Sequence, residues 1–128
     1  MNRMVTLPYK NIPGAGTFLC RLEDIPNPGG QEFMFGDPPT PFEMFVVRKG
    51  PNAWGYFNSC PHAGAPLNWT PGNFLDSSKT LIQCATHGAQ FNMDDGACVS
   101  GPCPGSRLTP VPVVVRDGKI LIAGPGES

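Results

Sequence analysis

Four residues that could bind a metal lie in two short stretches of this chain. The stretch "CPHAGAP" carries Cys60 and His62, and "CATHGAQF" carries Cys84 and His87. These are the only 2 histidines among 128 residues, and each follows a cysteine closely. Thiolate and imidazole groups bind zinc, copper and iron–sulfur centres. The pattern therefore predicts one metal centre held by two ligand loops.

The order of the ligands within each loop separates two kinds of metal centre. A zinc finger usually pairs two cysteines in one loop and two histidines in the other, whereas each loop here contains one of each. Mixed loops allow each loop to place its cysteine on one iron and its histidine on the other. Gly64, Pro66 and Gly88 follow the histidines, and such residues permit the sharp turns that bring backbone N–H groups near the sulfurs. We favour a two-iron cluster, with zinc as the alternative.

Charge and composition exclude several classes of function. A net charge of −1 and an isoelectric point near 6.0 give no electrostatic reason to bind nucleic acid or an anionic membrane. The longest apolar runs, such as "VPVVV" at 111–115, are too short to span a bilayer. No secretory signal accompanies the 5 cysteines, so we expect a reducing, cytoplasmic location. Cys20 and Cys98 lie in apolar contexts and are predicted to pack as small hydrophobic side chains.

Short apolar segments between glycines and prolines predict an all-β protein. Glycine and proline contribute 16 residues each, and no segment has the apolar periodicity of a helix. Asp117–Gly118 is a strong hairpin signal, and Pro112 should place its own strand at the edge of a sheet or displace the start of that strand. The predicted strands cover residues 42–47, 52–58, 79–84, 89–92, 97–100, 111–116 and 119–123.

Two segments fit this pattern of strands poorly. Residues 25–42 are too rich in proline for a strand, and residues 70–79 separate the two ligand loops. We predict both to be solvated surface loops. The alternative is a surface for docking a partner, because Phe33, Met34 and Phe35 would lie at the crest of the first loop, where exposed apolar groups need a reason.

The motifs together resemble those of Rieske-type [2Fe–2S] proteins. The family pattern is C-x-H, a spacer and C-x-x-H, matched by "CPHAGAPL" and "CATHGAQF", and the similarity continues through "DDGACVSGPCPGSRLTPVPVVVRDGKILI". It covers residues 42–123 or so. The resemblance implies a Rieske-like fold of three stacked antiparallel sheets. It also implies one domain over residues 1–128, with a small rubredoxin-like cluster-binding subdomain at about 58–104.

The resemblance also assigns roles to the four candidate ligands. It implies one [2Fe–2S] cluster per chain, with Cys60 and Cys84 on the inner iron and His62 and His87 on the outer iron. Histidine ligation raises the potential above that of a four-cysteine cluster.

The resemblance further suggests where the reduction potential lies. High-potential members that oxidise quinols carry a serine and a tyrosine after the second histidine, and a disulfide between the loops. Here Ala89 and Phe91 stand at the first two positions, and Ala65 and Thr86 stand near the loop positions of the disulfide. We expect the soluble, low-potential branch, at roughly −150 to −50 mV.

Three classes of function follow from these motifs. The first is a soluble ferredoxin-type one-electron carrier that takes electrons from a reductase and gives them to an oxygenase. The second is a small Rieske subunit of a larger oxidoreductase, such as one resembling nitrite reductase. The third is a zinc-binding structural module. Both histidines are used as ligands, so we expect no substrate site of the chain's own, and redox proteins rather than nucleic acid or membrane as partners.

Overall fold

The computed structural model describes residues 14–36, 42–58, 74–84, 89–100 and 107–123. Within these ranges the chain is built from strands, with a single 3₁₀ turn at Leu22–Asp24. No helix of the described residues is long and apolar enough to cross a membrane.

The all-β prediction is confirmed. The strands are β1 (Phe18–Arg21), β2 (Gly29–Phe35), β3 (Phe42–Lys49), β4 (Asn52–Phe57), β5 (Ile82–Gln83), β6 (Gln90–Phe91), β7 (Cys98–Ser100), β8 (Val113–Arg116) and β9 (Lys119–Ile122).

The strands form three antiparallel sheets of three strands each, as the resemblance implied. Their orders are β1–β9–β8, β2–β3–β4 and β5–β6–β7. Successive side chains of a strand point to opposite faces of its sheet. In β3 this alternation buries both faces, so the β2–β3–β4 sheet is the middle layer.

Two apolar cores lie on the two faces of the middle sheet. Phe45 and Val47 of β3 contribute to the first, which also contains Cys84 and is called the ligand-side core here. Met44 and Val46 contribute to the second, the hairpin-side core, which packs against β8 and β9. The ligand-side core consists of Phe45, Val47, Tyr56, Phe74, Ile82, Cys84, Ala89, Phe91, Met93 and Leu108. The hairpin-side core consists of Ile25, Phe42, Met44, Val46, Val111, Val113, Ile120 and Ile122.

The C-terminal hairpin has the turn that its sequence predicted. Asp117 and Gly118 adopt φ angles of 54° and 74°, in the left-handed region that two-residue hairpin turns require. Strand β8 starts at Val113, directly after Pro112, and it is an edge strand of its sheet. Both consequences expected of the proline are therefore observed.

The prediction of a loop over residues 25–42 is wrong, because β2 occupies Gly29–Phe35. The prolines of this segment lie outside the strand, so none removes a hydrogen bond from it. All seven residues pair with β3, from Gly29 with Arg48 to Phe35 with Phe42. Within the strand Phe33 and Phe35 pack against the hairpin-side core, whereas Met34 stays 66% exposed.

The prediction of a surface loop over residues 70–79 is wrong for Phe74 and Leu75, whereas residues 77–79 are exposed and belong to no strand, as predicted. Phe74 is buried, and its ring stacks on Phe45 with centroids 4.4 Å apart and planes 9° from parallel. Leu75 pairs with Ile82 as an isolated bridge. Burial of a large aromatic side chain contributes enough free energy to draw its segment into the core, even when the neighbouring residues are polar. The polar residues around Phe74 therefore gave no sign in the sequence that it would be buried.

The remaining strands lie at their predicted positions, but several of them are shorter than predicted. The predicted hairpin of residues 42–47 and 52–58 is β3 and β4. The strand predicted at 79–84 reduces to Ile82–Gln83, because Lys79 has a φ of 60° and belongs to a turn. Cys20 is half-buried against the hairpin-side core and Cys98 against the ligand-side core, which agrees with their predicted packing.

Candidate metal centre

The second ligand loop is closed at its base by backbone hydrogen bonds. Cys84 directly follows β5, and its N–H donates to the carbonyl oxygen of Ala89 at 2.8 Å. The stem below is the pairing of Gln83 with Gln90 and of Ile82 with Phe91. His87 lies outside the described residues; in the sequence it falls between the two residues that this hydrogen bond joins.

Cys84 is the candidate ligand that the structure describes, and its side chain has no exposed surface. Its neighbours in the ligand-side core are apolar, among them Ile82, Ala89 and Phe91. An uncompensated thiolate would be costly in such surroundings, whereas coordination to iron neutralises the charge. A soft, buried sulfur donor at the base of a closed loop fits the protein end of an iron–sulfur cluster.

The first ligand loop begins where β4 ends. Cys60 and His62 lie outside the described residues, but the chain is held in place just before them. The N–H of Phe57 donates to the Thr109 carbonyl at 2.8 Å, and the N–H of Asn58 donates to the Glu43 carbonyl at 2.9 Å. Asn58 is 8% exposed, so the chain is anchored two residues before the first candidate cysteine.

A side-chain hydrogen bond connects the two loop-bearing regions. The Tyr56 hydroxyl donates to the Met93 carbonyl oxygen at 2.5 Å inside the ligand-side core. Burial, aided by the Asp95 and Asp94 carboxylates, raises the pKa of Tyr56 well above its ordinary value, although Arg107 opposes the shift. The hydroxyl therefore keeps its proton and remains a donor. Sequence reasoning missed this contact, because nothing in the pattern pairs residues 56 and 93.

Asp76 organises the turn that leads into β5. Its carboxylate accepts hydrogen bonds from the Ser78 hydroxyl at 2.9 Å and from the backbone N–H groups of Thr80 and Leu81 at 3.2 and 3.3 Å. It also accepts one from the Gln90 side chain at 3.3 Å. The turn is thereby connected to β6, on the far side of the second ligand loop. An acidic residue before "SSKT" was a sequence signal for a capped turn, but not for the contact with Gln90.

The model of the Rieske [2Fe-2S] domain family matches residues 17–117, which include all four candidate ligands. The chain belongs to this family. Its cofactor is accordingly a [2Fe–2S] cluster, and the zinc alternative is set aside. The match begins earlier than the motifs alone suggested, because β1 and β2 are part of the family domain.

Solved structures share the fold of this Rieske protein. The ferredoxin of carbazole 1,9a-dioxygenase from Nocardioides aromaticivorans IC177 is 24% identical, with a TM-score of 0.65 over 86% of this chain and 98% of that chain. A chain in the complex of reduced oxygenase and oxidized ferredoxin in carbazole 1,9a-dioxygenase is 23% identical, with a TM-score of 0.60 over 80% of this chain and 96% of that chain. At these identities the similarity establishes the fold.

An oxygenase contains the same fold as one part of a longer chain. The terminal oxygenase of carbazole 1,9a-dioxygenase from Nocardioides aromaticivorans IC177 is 19% identical, with a TM-score of 0.68 over 92% of this chain and 32% of that chain. No protein with a curated description matches the sequence significantly. The Rieske fold is thus shared by a ferredoxin and by one third of an oxygenase.

The Asp76 network predicts a pH-dependent contribution to the stability of this Rieske protein. Partial desolvation raises the pKa of the Asp76 carboxyl, but hydrogen bonds from Ser78 and three backbone N–H groups outweigh it and lower the pKa. A lowered folded-state pKa stabilises the protein above the unfolded value of about 3.9, and this contribution is lost as the pH falls through the folded value. We expect Asp76→Asn to cost about 1 kcal/mol at neutral pH.

Urea unfolding of Asp76→Asn and the parent between pH 7 and pH 3 measures this difference. The difference should shrink below a pH of about 4. Asp117→Asn, which changes an exposed carboxylate in a hairpin turn, is the control and should differ little from the parent at either pH. A cost for Asp76→Asn that stays constant over the whole range would contradict the electrostatic origin.

Proposed function

We propose that this Rieske protein is a cytoplasmic one-electron carrier that accepts electrons from a reductase and passes them to an oxygenase-type acceptor. The observation that carries the proposal is the match to the Rieske [2Fe-2S] domain family over residues 17–117, together with a fold similar to that of a dioxygenase ferredoxin at a TM-score of 0.65. A second support is that a related ferredoxin fold occurs in a complex with a reduced oxygenase.

We further propose the ligands of the cluster and its place in the chain. Cys60 and Cys84 would hold one iron, and His62 and His87 the other, with one cluster per chain. These are the residues of the family pattern C-x-H and C-x-x-H, and the burial of Cys84 supports its place on the inner iron. Residues 1–128 would form one domain, with a cluster-binding subdomain at about 58–104.

The chemistry supplied by a bound [2Fe–2S] cluster is the reversible uptake of one electron. The described residues contribute the environment of that site. The ligand-side core excludes water from the side of Cys84, since Phe91 and Ala89 are fully buried beside it. Low solvent access disfavours an additional negative charge, which agrees with the low potential expected from Ala89 and Phe91 in place of hydroxyl donors.

Spectroscopy followed by electron transfer tests this proposal. The purified, iron-replete protein should absorb visible light and give an EPR signal after one-electron reduction. Stopped-flow mixing of the reduced protein with a Rieske-type terminal oxygenase should then oxidise it in one phase whose rate rises with oxygenase concentration. A coloured protein that is never oxidised by such oxygenases would contradict the assigned acceptor, and a colourless one would contradict the ligand assignment.

The second candidate is a Rieske unit within a larger oxidoreductase, including the nitrite reductase type. Its support is the similarity to one third of a terminal oxygenase, with a TM-score of 0.68. Size-exclusion chromatography of the protein from its native cells separates the two candidates. A stable co-eluting oxidoreductase subunit supports the second candidate, whereas elution apart from any redox enzyme supports the carrier.

A hydroxyl donor introduced at Ala89 should raise the reduction potential. Ala89 is fully buried, and its carbonyl closes the second ligand loop. In Ala89→Ser a hydroxyl hydrogen bond to a cluster sulfur would be stronger in the reduced, more negative state, so we expect an upward shift on the order of 60 mV, one factor of ten in the equilibrium constant. Potentiometric titration monitored by visible absorption measures it.

Ala53→Ser is the matched control for this substitution. Ala53 is half-buried against the hairpin-side core, on the other face of the middle sheet. The same added hydroxyl there should leave the potential unchanged. An unchanged potential in Ala89→Ser as well would mean that the loop closed by Cys84 and Ala89 does not approach the cluster.

A further inference from the structure

We propose that Tyr56 is a positioning residue for the iron–sulfur centre, acting by tying the strand that enters the first ligand loop to the segment that leaves the second. The inference rests on the ligand assignment under the proposed function. Tyr56 lies in β4, and in the sequence it precedes Cys60 by four residues. Met93 lies two residues beyond β6 and follows His87 by six. Their hydrogen bond joins the two loop-bearing segments directly.

The bond lies where water does not replace it. The Tyr56 hydroxyl is 2.5 Å from the Met93 carbonyl oxygen, and the two residues are 2% and 6% exposed. A hydrogen bond in such a low-dielectric interior is stronger than one in water, and its loss leaves a buried carbonyl without that donor. The hydrogen bond therefore limits how far the two segments can move apart.

The surrounding residues leave the Tyr56 ring little freedom. The Phe45 ring packs against it with centroids 5.8 Å apart. On another side Gly96, with a φ of 72°, passes so close that an added Cβ would lie 2.8 Å from a ring carbon of Tyr56. Only glycine combines this backbone conformation with this close approach. Phe45 and Gly96 both contact the ring closely, so the fold restricts the position of its hydroxyl.

Among the described residues, the backbone hydrogen bonds that link these segments run through a third segment. The N–H of Phe57 and the carbonyl of Gly55 bond to residues 109 and 111, and Leu108 bonds in turn to Gly96. This route passes through a third segment before it reaches the β6–β7 turn. The hydrogen bond from the Tyr56 hydroxyl joins the two segments directly, and the packing of its ring against Gly96 is a second direct contact.

Removing this hydrogen bond should change the reduction potential of the cluster and its rate of iron release, as well as the stability of the fold. Tyr56 and Cys84 belong to the same ligand-side core, so greater separation of the segments admits water to the sulfur side of the site. Water stabilises the extra negative charge of the reduced state, and the reduction potential should rise. A less restrained pair of loops should also release iron faster.

The variant Tyr56→Phe removes the hydroxyl and keeps the packed ring. We expect it to fold and take up a cluster, to release iron to a chelator between about two and ten times faster, and to have a higher reduction potential with altered EPR g values. The measurements are bleaching of the visible absorption with the chelator bathophenanthroline disulfonate, a redox titration and EPR of the reduced protein. Thermal unfolding is recorded in parallel.

The control variant Ile120→Val reduces packing in the hairpin-side core, which does not contain Tyr56 or Cys84. It should lose a comparable amount of thermal stability and keep the parent potential, g values and rate of iron release. Tyr56→Phe values equal to those of Ile120→Val would make Tyr56 a stabilising residue only and overturn the proposal. A parent protein that binds no cluster would instead overturn the ligand assignment.

If Tyr56→Phe does not fold, Gly96→Ala provides the same test, because its added methyl group would displace the Tyr56 ring while the hydroxyl remains. It should shift the potential and the rate of iron release in the same directions. A parent-like potential and release rate in Gly96→Ala would count against the proposal.

Discussion

Replacing Cys84 by alanine is expected to abolish assembly of the [2Fe–2S] cluster. Cys84 is buried without exposed surface at the base of the second ligand loop, and an alanine offers no donor atom to iron. The other sulfur side chain within the ligand-side core is the thioether of Met93, a weaker donor than a thiolate, and the thiol of Cys98 packs against the outside of that core. The purified variant should be colourless, with iron and sulfide contents near zero.

Cys20→Ala is the matched control for this experiment. Cys20 lies in β1, half-buried against the hairpin-side core, and burial raises the pKa of its thiol to about 11, with a smaller contribution from Asp24. A thiol held protonated in this way is a poor metal ligand. The control should retain a full cluster. A Cys84→Ala protein with the parent's iron, sulfide and visible spectrum would contradict the assignment of Cys84 as a ligand.

Replacing Phe74 by alanine should cost about 3–5 kcal/mol of the free energy of unfolding. Phe74 is fully buried and stacked on Phe45, and Gly30 of β2 lies directly against its ring, where an added Cβ would be 2.9 Å from a ring carbon. Truncation leaves a cavity between the middle sheet and the β5–β6–β7 sheet. This loss is a large fraction of the stability of a typical domain, about 5–15 kcal/mol.

Chemical denaturation of Phe74→Ala, of a control variant and of the parent protein, all in the same cluster-bound state, measures this cost. Phe18→Ala, which truncates a side chain that is 53% exposed in β1, is the control and should change the free energy of unfolding by less than about 0.5 kcal/mol. Equal, small losses in both variants would mean that Phe74 is not part of a packed core.

The sequence was sufficient for the fold class and for the cofactor. The hairpins at 42–58 and around Asp117–Gly118 depend on local signals, namely alternating apolar residues and turn residues that accept a positive φ. These signals act over a few residues and depend little on distant segments of the chain. The mixed Cys and His loops are equally local, since each brings its two predicted ligands together within three or four residues of sequence, and the family match spans both loops.

The tertiary structure decided what local signals could not. Strand β2 forms because β3 offers it a partner along seven residues, and Phe74 is buried because Phe45 and Gly30 meet it across the core. The contacts of Tyr56 with Met93 and of Asp76 with Gln90 join residues 37 and 14 positions apart. Pairing and burial of this kind depend on which distant segments come together. The order of residue types along the chain does not show which segments these are.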